Sequence, residues 1–137
     1  MLAWLSLKDV VCAHERLKPY LRRTPLVESR RLSQVAGTEV LLKLECWQHT
    51  RSFKVRGALN RLLQLTDEER DRGVITASAG NHGQGVGYAA RLVGTEALVV
   101  VPEGTPQAKL EGLRALGVQI HQQGRDYDAS EEVAREL

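Results

Sequence analysis

The second half of the chain alternates short apolar runs with longer amphipathic stretches. The apolar runs begin near residues 74, 96 and 118, at a regular spacing of 22 residues. Two of the amphipathic stretches end at Gly94 and Gly117, because glycine readily adopts the left-handed conformation that ends a helix. Successive strand–helix units are typical of right-handed crossovers in a parallel sheet. The pattern therefore predicts an α/β fold, with an open parallel sheet and helices on both faces.

The first half of the chain predicts shorter and less regular elements. Ser6 is the predicted cap of a first helix, whose apolar face runs from Leu7 to Leu21. Gly37 ends a second helix, and Thr66 begins a capping box, in which the two ends of a helix turn bond reciprocally. The predicted helices cover 7–18 and 29–36, follow Ser52, and run from Thr66 to Gly73, and the extended segments cover 24–27 and 40–45.

Helix starts in the second half are also predicted from capping residues. The predicted strands cover 74–77, 97–101 and 118–121, and a helix covers 81–93. Thr105 is the predicted N-cap of the next helix, with Pro106 at its first position. The last helix is predicted to start near Asp128, with Glu131 as its capping partner.

Composition limits the classes of partner and the cell compartment that we expect for this chain. The chain has 137 residues and a net charge of +2, and it lacks a basic stripe with interleaved aromatics, so we do not expect nucleic acid. The longest strongly apolar run, Ala97–Val101, is too short to cross a membrane. Met1–Leu7 is too short for a secretory signal. Cys12 and Cys46 have no metal or redox spacing, so we expect two small buried groups in a reducing cytoplasm.

A lysine stands in the first turn of the helix that follows Ser52. Lys54 faces the positive end of the helix dipole there, and Arg56 adds like-charge repulsion. Both effects favour the neutral amine, which is the nucleophilic form suited to Schiff-base chemistry. The competing interpretation is an exposed lysine that points into water and has no function.

A glycine-rich segment, residues 78–87, joins the first strand of the predicted sheet to its helix. Open α/β sheets bind ligands at this edge, and glycines let backbone amides approach an anion. A dinucleotide fingerprint does not fit, because Tyr88 stands where a small residue is needed. Close packing of the helix on the sheet is an alternative role for Gly85 and Gly87. His82 has no partner at metal-ligand spacing, so we expect no metal site.

Together these segments resemble a known family. Residues 43–60, with the run Ser-Phe-Lys-Val-Arg-Gly-Ala, and residues 78–85, Ser-Ala-Gly-Asn-His-Gly-Gln-Gly, resemble two motifs of the threonine/serine dehydratases. That family consists of pyridoxal-phosphate enzymes of fold type II, the tryptophan synthase β-like fold, and serine racemase is a close relative. The resemblance covers nearly the whole chain in order.

The resemblance implies a role for each site residue. Lys54 would be the catalytic lysine and would bind the aldehyde of pyridoxal 5′-phosphate as a Schiff base. Phe53 would pack near the cofactor ring, and Asn81 would hydrogen-bond its phenolic oxygen. The substrate carboxylate would be held by residues of the glycine-rich segment, namely Ser78, Gly80, Asn81, His82 and Gly83.

The implied reaction is β-elimination of a small amino acid, L-threonine or L-serine, to a 2-oxo acid and ammonia. Ala79 stands where the racemases usually carry a second serine, which favours dehydration over racemisation. Arg51 stands where a glycine is usual, so a positive φ would strain this loop. Alternatively, Arg51 contacts an acidic substrate or the cofactor phosphate. His49 stands where proline or lysine is usual in the family, so the identity of the substrate stays open.

The glycine-rich phosphate cup of the family has no counterpart in these residues, so the resemblance implies the N-terminal portion of a two-lobed enzyme. Residues 1–72 would begin the larger lobe, which carries the cofactor lysine. Residues 73–137 would form the smaller α/β lobe, incomplete at its C-terminus. We expect the isolated chain to be inactive and a full-length form to be able to form a homo-oligomer.

Three alternatives to this function stay open. The first is a dehydratase or racemase that acts on another hydroxy amino acid. The second is a truncated, non-catalytic module that binds a partner, and the third is a generic nucleotide-binding α/β domain. Attachment of pyridoxal phosphate to Lys54 separates the first alternative from the other two.

Overall fold

The structure, a computed structural model, describes residues 5–137. Residues 1–4, on which part of the expectation about a secretory signal depends, lie outside the described residues. Short helices and strands alternate along the described chain. They are α1 (Leu7–Leu17), β1 (Leu26–Glu28), α2 (Arg30–Ala36), β2 (Leu41–Lys43), a 3-10 turn (Glu45–Trp47), α3 (Lys54–Leu62), α4 (Asp67–Arg72), β3 (Val74–Ala77), α5 (Asn81–Val93), β4 (Ala97–Val101), α6 (Gln107–Arg114), β5 (Gln119–Gln122) and α7 (Tyr127–Glu136).

The strands β3, β4 and β5 form a parallel sheet in that order. Val74 pairs with Ala97, and Leu98 pairs with Gln119. Because neighbours in sequence are neighbours in the sheet, right-handed crossovers place α5 and α6 on one face, where they contact each other. The last helix, α7, packs against β3 and β4 on the other face. The predicted open parallel sheet with helices on both faces is confirmed.

Capping residues place most helix ends where the sequence predicts them. The hydroxyl of Ser6 accepts from the backbone of Asp9 and completes a capping box. Thr66 caps α4 in the same way. Gly37 ends α2 with φ 66° and Gly94 ends α5 with φ 72°, both in the left-handed region that favours glycine.

The capping residues predicted for two helices are wrong, although the last helix begins at Tyr127, beside the predicted Asp128. Thr105 does not cap α6, because Pro106 keeps an extended ψ of 140° and the helix begins one residue later, at Gln107. The last helix is capped by Asp126, whose carboxylate accepts from the Ala129 N–H at 3.0 Å. Glu131 is therefore not a capping partner, and it forms an ion pair with Arg135 at 2.7 Å.

The segment before α3 buries little apolar surface. The strands β1 and β2 form an antiparallel ladder in which every residue is exposed. The apolar face of α1 is exposed except for Leu17, and Val10 is 58% exposed. Cys12 and Cys46 are free and exposed, so the prediction that both are buried is wrong. Periodicity correctly identifies the apolar face of α1, but only α3 packs against that helix closely.

A hydrophobic cluster joins this segment to the parallel sheet. It includes Leu17 of α1, Leu59 of α3, Val99 of β4 and Leu113 of α6. The division of the chain into lobes at residue 72 stays a prediction. Among the described helices, none has the length and apolar character needed to cross a membrane.

Candidate active site

The lysine that the sequence singles out lies at the contact between α3 and α5. Lys54 is the first residue of α3, and its side chain is exposed. A Cβ built on Gly85 of α5 would be 3.1 Å from the Lys54 carbonyl carbon and 3.1 Å from the Val55 nitrogen. Such a distance is tighter than side chains normally tolerate, so Gly85 permits the close approach of the two helices. Gly85 therefore packs closely on α3, and not on the sheet as the alternative role predicts.

The helix α5 begins with backbone amides that no side chain caps. Gly80 is the N-cap residue, and its N–H donates to Ser78 Oγ at 3.3 Å. Within residues 5–137, the N–H groups of Asn81, His82 and Gly83 find no acceptor. Free first-turn amides at the positive end of a helix dipole favour a carboxylate or phosphate. The predicted carboxylate-binding residues therefore form a chemically suitable group.

The backbone turn that leads into α5 depends on Gly83. A Cβ at this position would overlap the Ser78 carbonyl oxygen. Gly80 has open space at the corresponding position, with no atom within 4 Å. The turn is therefore fixed by one glycine and left accessible at another, which suits a loop that admits a ligand to its amides.

Aromatic and imidazole groups lie close to the Lys54 amine. Nζ of Lys54 is 5.3 Å from the centre of the Phe53 ring, and Phe53 is 60% exposed. Surrounding protein atoms, and after them the Lys54 charge, lower the pKa of the His82 imidazole. Phe53 and His82 are thus brought together with Lys54. No hydrogen bond within the described residues joins Nζ to Ser78 or Asn81, and the roles of these residues stay predictions.

A polar network fixes the segment before the lysine. Gln48 is buried, and its amide donates to the Arg22 carbonyl at 2.9 Å and accepts from the Arg22 N–H at 3.2 Å. Arg56 donates to the two Glu45 oxygens at 2.7 and 2.8 Å, and Thr24 donates to Glu45 at 2.6 Å. The bonds from Arg56 hold the pKa of the Glu45 carboxyl below its ordinary value.

Sequence reasoning missed this network. It treats Arg56 as a source of repulsion toward Lys54, whereas both ends of the guanidinium fork are bound by Glu45. One available signal was the spacing of opposite charges within a single motif, from Glu45 to Arg56. Arg22 contributes through its backbone N–H and carbonyl, and a pattern of side chains does not reveal such bonds.

The turn between Gln48 and Lys54 is strained. Arg51 has φ 55°, and it is the one non-glycine residue with positive φ in the described chain. The predicted strain is confirmed, and such a conformation costs about 1–2 kcal/mol for a side chain with a Cβ. Thr50 is buried beside it, and its Oγ1 has no hydrogen-bond partner. Strain and an unpaired buried hydroxyl concentrate at functional sites.

Comparisons with known proteins identify the family to which the chain is similar. A family model described as pyridoxal-phosphate dependent enzyme matches residues 17–137. A catabolic L-threonine dehydratase of Staphylococcus aureus (strain USA300) is 44% identical over 137 residues, which cover 96% of this chain and 40% of that protein. The chain thus spans about 40% of the length of the curated relatives it matches.

Solved structures give the same result for the fold. The processed form of threonine deaminase isoform 2 from Solanum lycopersicum superposes with a TM-score of 0.83 at 36% identity, and the match covers 97% of this chain and 40% of that one. A serine racemase of Dictyostelium discoideum superposes with a TM-score of 0.88 at 36% identity, covering 98% of this chain and 44% of that one. Within the described residues, no three His, Cys, Asp or Glu side chains come together to hold a metal ion.

Proposed function

The chain belongs to the pyridoxal-phosphate-dependent enzymes, and on that basis we propose that the whole protein catalyses β-elimination of a small hydroxy amino acid, L-threonine or L-serine. The hydroxyl at Cβ leaves as water, and hydrolysis of the unsaturated amine that remains gives a 2-oxo acid and ammonia. The cofactor of the family is pyridoxal 5′-phosphate. A cytoplasmic location and assembly into a homo-oligomer stay predictions.

The residues present fit this cofactor. Lys54 offers an exposed primary amine, and the Phe53 ring lies beside that amine. Asn81 offers an exposed amide at the start of α5, which can donate to a phenolic oxygen. The buried Thr50 Oγ1 lacks a partner in the same turn. Lys54 would hold the cofactor, with Phe53 against its ring and Asn81 on its oxygen.

The chain's own groups supply binding and proton transfer. When bound, the cofactor takes up the electron pair that is left at the substrate Cα. The amides at the start of α5, at residues 80–83, would bind and orient the substrate carboxylate. The Lys54 amine would accept the Cα proton, because it is a basic group on the helix that packs against α5. Ala79 has no acid–base group on its side chain, so a second proton donor is lacking there and dehydration is favoured over racemisation.

One observation carries this proposal. The start of α3, which bears Lys54, packs directly against α5 at Gly85, one turn beyond the uncapped start of that helix. A reactive amine and a carboxylate site therefore share one face of the molecule. A generic nucleotide-binding domain has no need of the lysine, and a non-catalytic module has no need of either group.

Reductive labelling tests the proposal. Pyridoxal phosphate is added to the chain, borohydride fixes the adduct, and peptide mapping finds the modified lysine. We expect the label on Lys54 and its loss in Lys54→Ala. Lys109 is the matched control, because it is also exposed in the first turn of a helix. A label spread evenly over Lys54, Lys109 and other surface lysines would contradict the proposal.

Release of a 2-oxo acid tests the substrate. We propose that the chain alone releases none, since it spans about 40% of the length of its relatives. A form extended to their length is expected to act on L-threonine or L-serine and to lose that activity in Lys54→Ala. Retained turnover in Lys54→Ala would remove the lysine from the reaction. If the chain and the extended form both fold and neither carries a label at Lys54, the non-catalytic binding module becomes the better interpretation.

A further inference from the structure

Two aromatic rings connect α5 to the turn at residues 48–54, which we call the lysine turn. The His49 imidazole stacks on the Tyr88 ring, with centroids 5.1 Å apart and planes inclined by 13°. The guanidinium carbon of Arg91 lies 5.7 Å from the centre of the same tyrosine ring. Burial, and after it the Arg22 charge, lower the pKa of His49, which favours the neutral ring in this stack. The distance is typical of stacked rings that attract each other.

The contacts of α5 with the lysine segment fall on one stripe of the helix. Asn81, Gly85 and Tyr88 are four and three residues apart, a spacing that places them on the same helical face. Gly85 lies against the Lys54 backbone, and Tyr88 lies against His49. Asn81 begins the stripe. A shift of the lysine turn along this stripe would change the distance between Lys54 and Asn81.

The lysine turn needs an external hold. Its backbone is closed by the Arg51 N–H, which donates to the Gln48 carbonyl at 2.9 Å. Arg51 then adopts φ 55°, and Thr50 Oγ1 finds no partner. A strained turn persists only where the surrounding structure determines it, and the bonds of Gln48 to the Arg22 backbone hold the first residue of this one. The His49 ring supplies a contact from inside the turn to a neighbouring element.

We infer that His49 and Tyr88 are positioning residues, which hold the turn of Arg51 and Lys54 at a fixed place on α5 relative to Asn81. The inference rests on the proposed function, in which Lys54 and Asn81 serve one cofactor. Neither ring needs to touch the cofactor or the substrate. The stacked face of the ring matters, and its hydrogen-bonding atoms do not.

Hydrogen exchange measures how well the ring stack stabilises the lysine turn, and the measurement needs no cofactor. In His49→Ala we expect the amides of residues 49–56 to exchange about fivefold faster, the factor that a lost aromatic pair converts to. His49→Phe keeps a flat ring and is expected to restore slow exchange. Tyr88→Phe is expected to match the parent chain. His14→Ala, which removes an exposed histidine of α1, is the matched control and is expected to change nothing.

The midpoint of global unfolding separates positioning from general stability. We expect His49→Ala to keep the midpoint of the parent chain, because the stack lies at the exposed edge of the site. Unchanged exchange in His49→Ala, or faster exchange that His49→Phe does not correct, would overturn the inference. A global loss of stability that matches the local change would also overturn it. If His49→Ala does not fold, His49→Leu removes the flat ring and retains an apolar side chain.

Attachment of pyridoxal phosphate gives the second measurement. We expect its apparent affinity for Lys54 to fall about fivefold in His49→Ala and to recover in His49→Phe. Equal affinity in all three proteins would overturn the positioning role. Absence of the label at Lys54 in the parent chain would instead contradict the proposed function, and the exchange experiment would still decide whether the stack holds the turn.

Discussion

The parallel sheet and the segment before α3 are each stabilised by a different kind of interaction. In the sheet, Val99 and Val100 are fully buried, and Leu113 of α6 is fully buried in one cluster with Val99. In the earlier segment, no residue of β1 or β2 is buried. That segment is joined to α3 by the Glu45–Arg56 pair and its neighbours. The candidate site lies where the two regions meet.

This difference assigns a separate support to each side of the site. The position of α5, and with it Asn81, depends on a buried apolar cluster to which Val86 and Ala89 of this helix belong. The position of Lys54 depends on hydrogen bonds and on the close approach at Gly85, in addition to Leu59, which anchors α3 in the same core. Apolar burial does not titrate with pH, whereas charged hydrogen bonds respond to pH and are screened by salt. Substitutions in the two regions should therefore have effects of different size and different pH dependence.

The largest effect is expected in the sheet region. Leu113→Ala should lower the free energy of unfolding of the chain by about 3 kcal/mol, because it leaves a cavity where the side chain is 0% exposed. Urea unfolding followed by circular dichroism measures this loss. Leu92→Ala on α5 is the control, since Leu92 is 41% exposed and should cost less than about 1 kcal/mol. Equal losses of unfolding free energy in Leu113→Ala and Leu92→Ala would contradict the view that Leu113 lies in a well-packed core.

The contact between the two regions comes next. Gly85→Ala places a methyl group 3.1 Å from the Lys54 backbone, which should cost about 1–2 kcal/mol after the gain in helix propensity. Gly57→Ala in α3 is the matched control, because no atom lies within 4 Å of its added Cβ. The control should stabilise the chain by about 0.5–1 kcal/mol. A stabilising Gly85→Ala would show that α3 and α5 do not depend on this approach.

The sequence predicts the sheet region better than the earlier segment for a physical reason. The boundaries of α5 follow from local signals, a glycine-rich start and Gly94 at the end, and the structure has both where they are predicted. The capping residue of α7 is missed because Asp126 and Asp128 are both competent caps, and only the backbone conformation selects Asp126. In α1, periodicity identifies an apolar face without revealing what covers it.

The site is predictable in part for the same reason. Lys54 is expected at a helix start from the residues around it, and the strain at Arg51 is expected from a glycine position that carries a side chain. The pairing of His49 with Tyr88 is not predictable, since the two residues are distant in sequence and meet only when α3 packs on α5. The bonds of Gln48 to the Arg22 backbone escape notice because they involve no charged side chain of Arg22.

The polar network provides a smaller effect with a defined pH dependence. Glu45→Gln should cost about 1 kcal/mol, because Arg56 loses a charged acceptor while both side chains retain some exposure. The pKa of Glu45 is lower in the folded chain than its ordinary value of 4.5. The stability from this pair is therefore complete above about pH 4.5 and is lost as the pH falls through the lowered pKa.

Urea unfolding at a series of pH values measures this dependence. The parent chain should lose its advantage over Glu45→Gln between neutral pH and strongly acidic pH. Glu28→Gln is the control, because Glu28 is exposed on β1 and makes no ion pair within the described residues. A constant difference between the parent and Glu45→Gln at every pH would show that the network stabilises the segment through shape and not through charge.

The smallest effect tests the exposed apolar residues of the earlier segment. Val35 of α2 is 82% exposed, so Val35→Ser should change the free energy of unfolding by less than about 0.5 kcal/mol. A hydrophobic residue stabilises only as far as it leaves water on folding, and Val35 hardly does. A loss above about 1 kcal/mol would therefore mean that another surface covers this residue in solution. If that surface belonged to a second copy, the loss would grow with protein concentration, and unfolding at two concentrations would distinguish the cases.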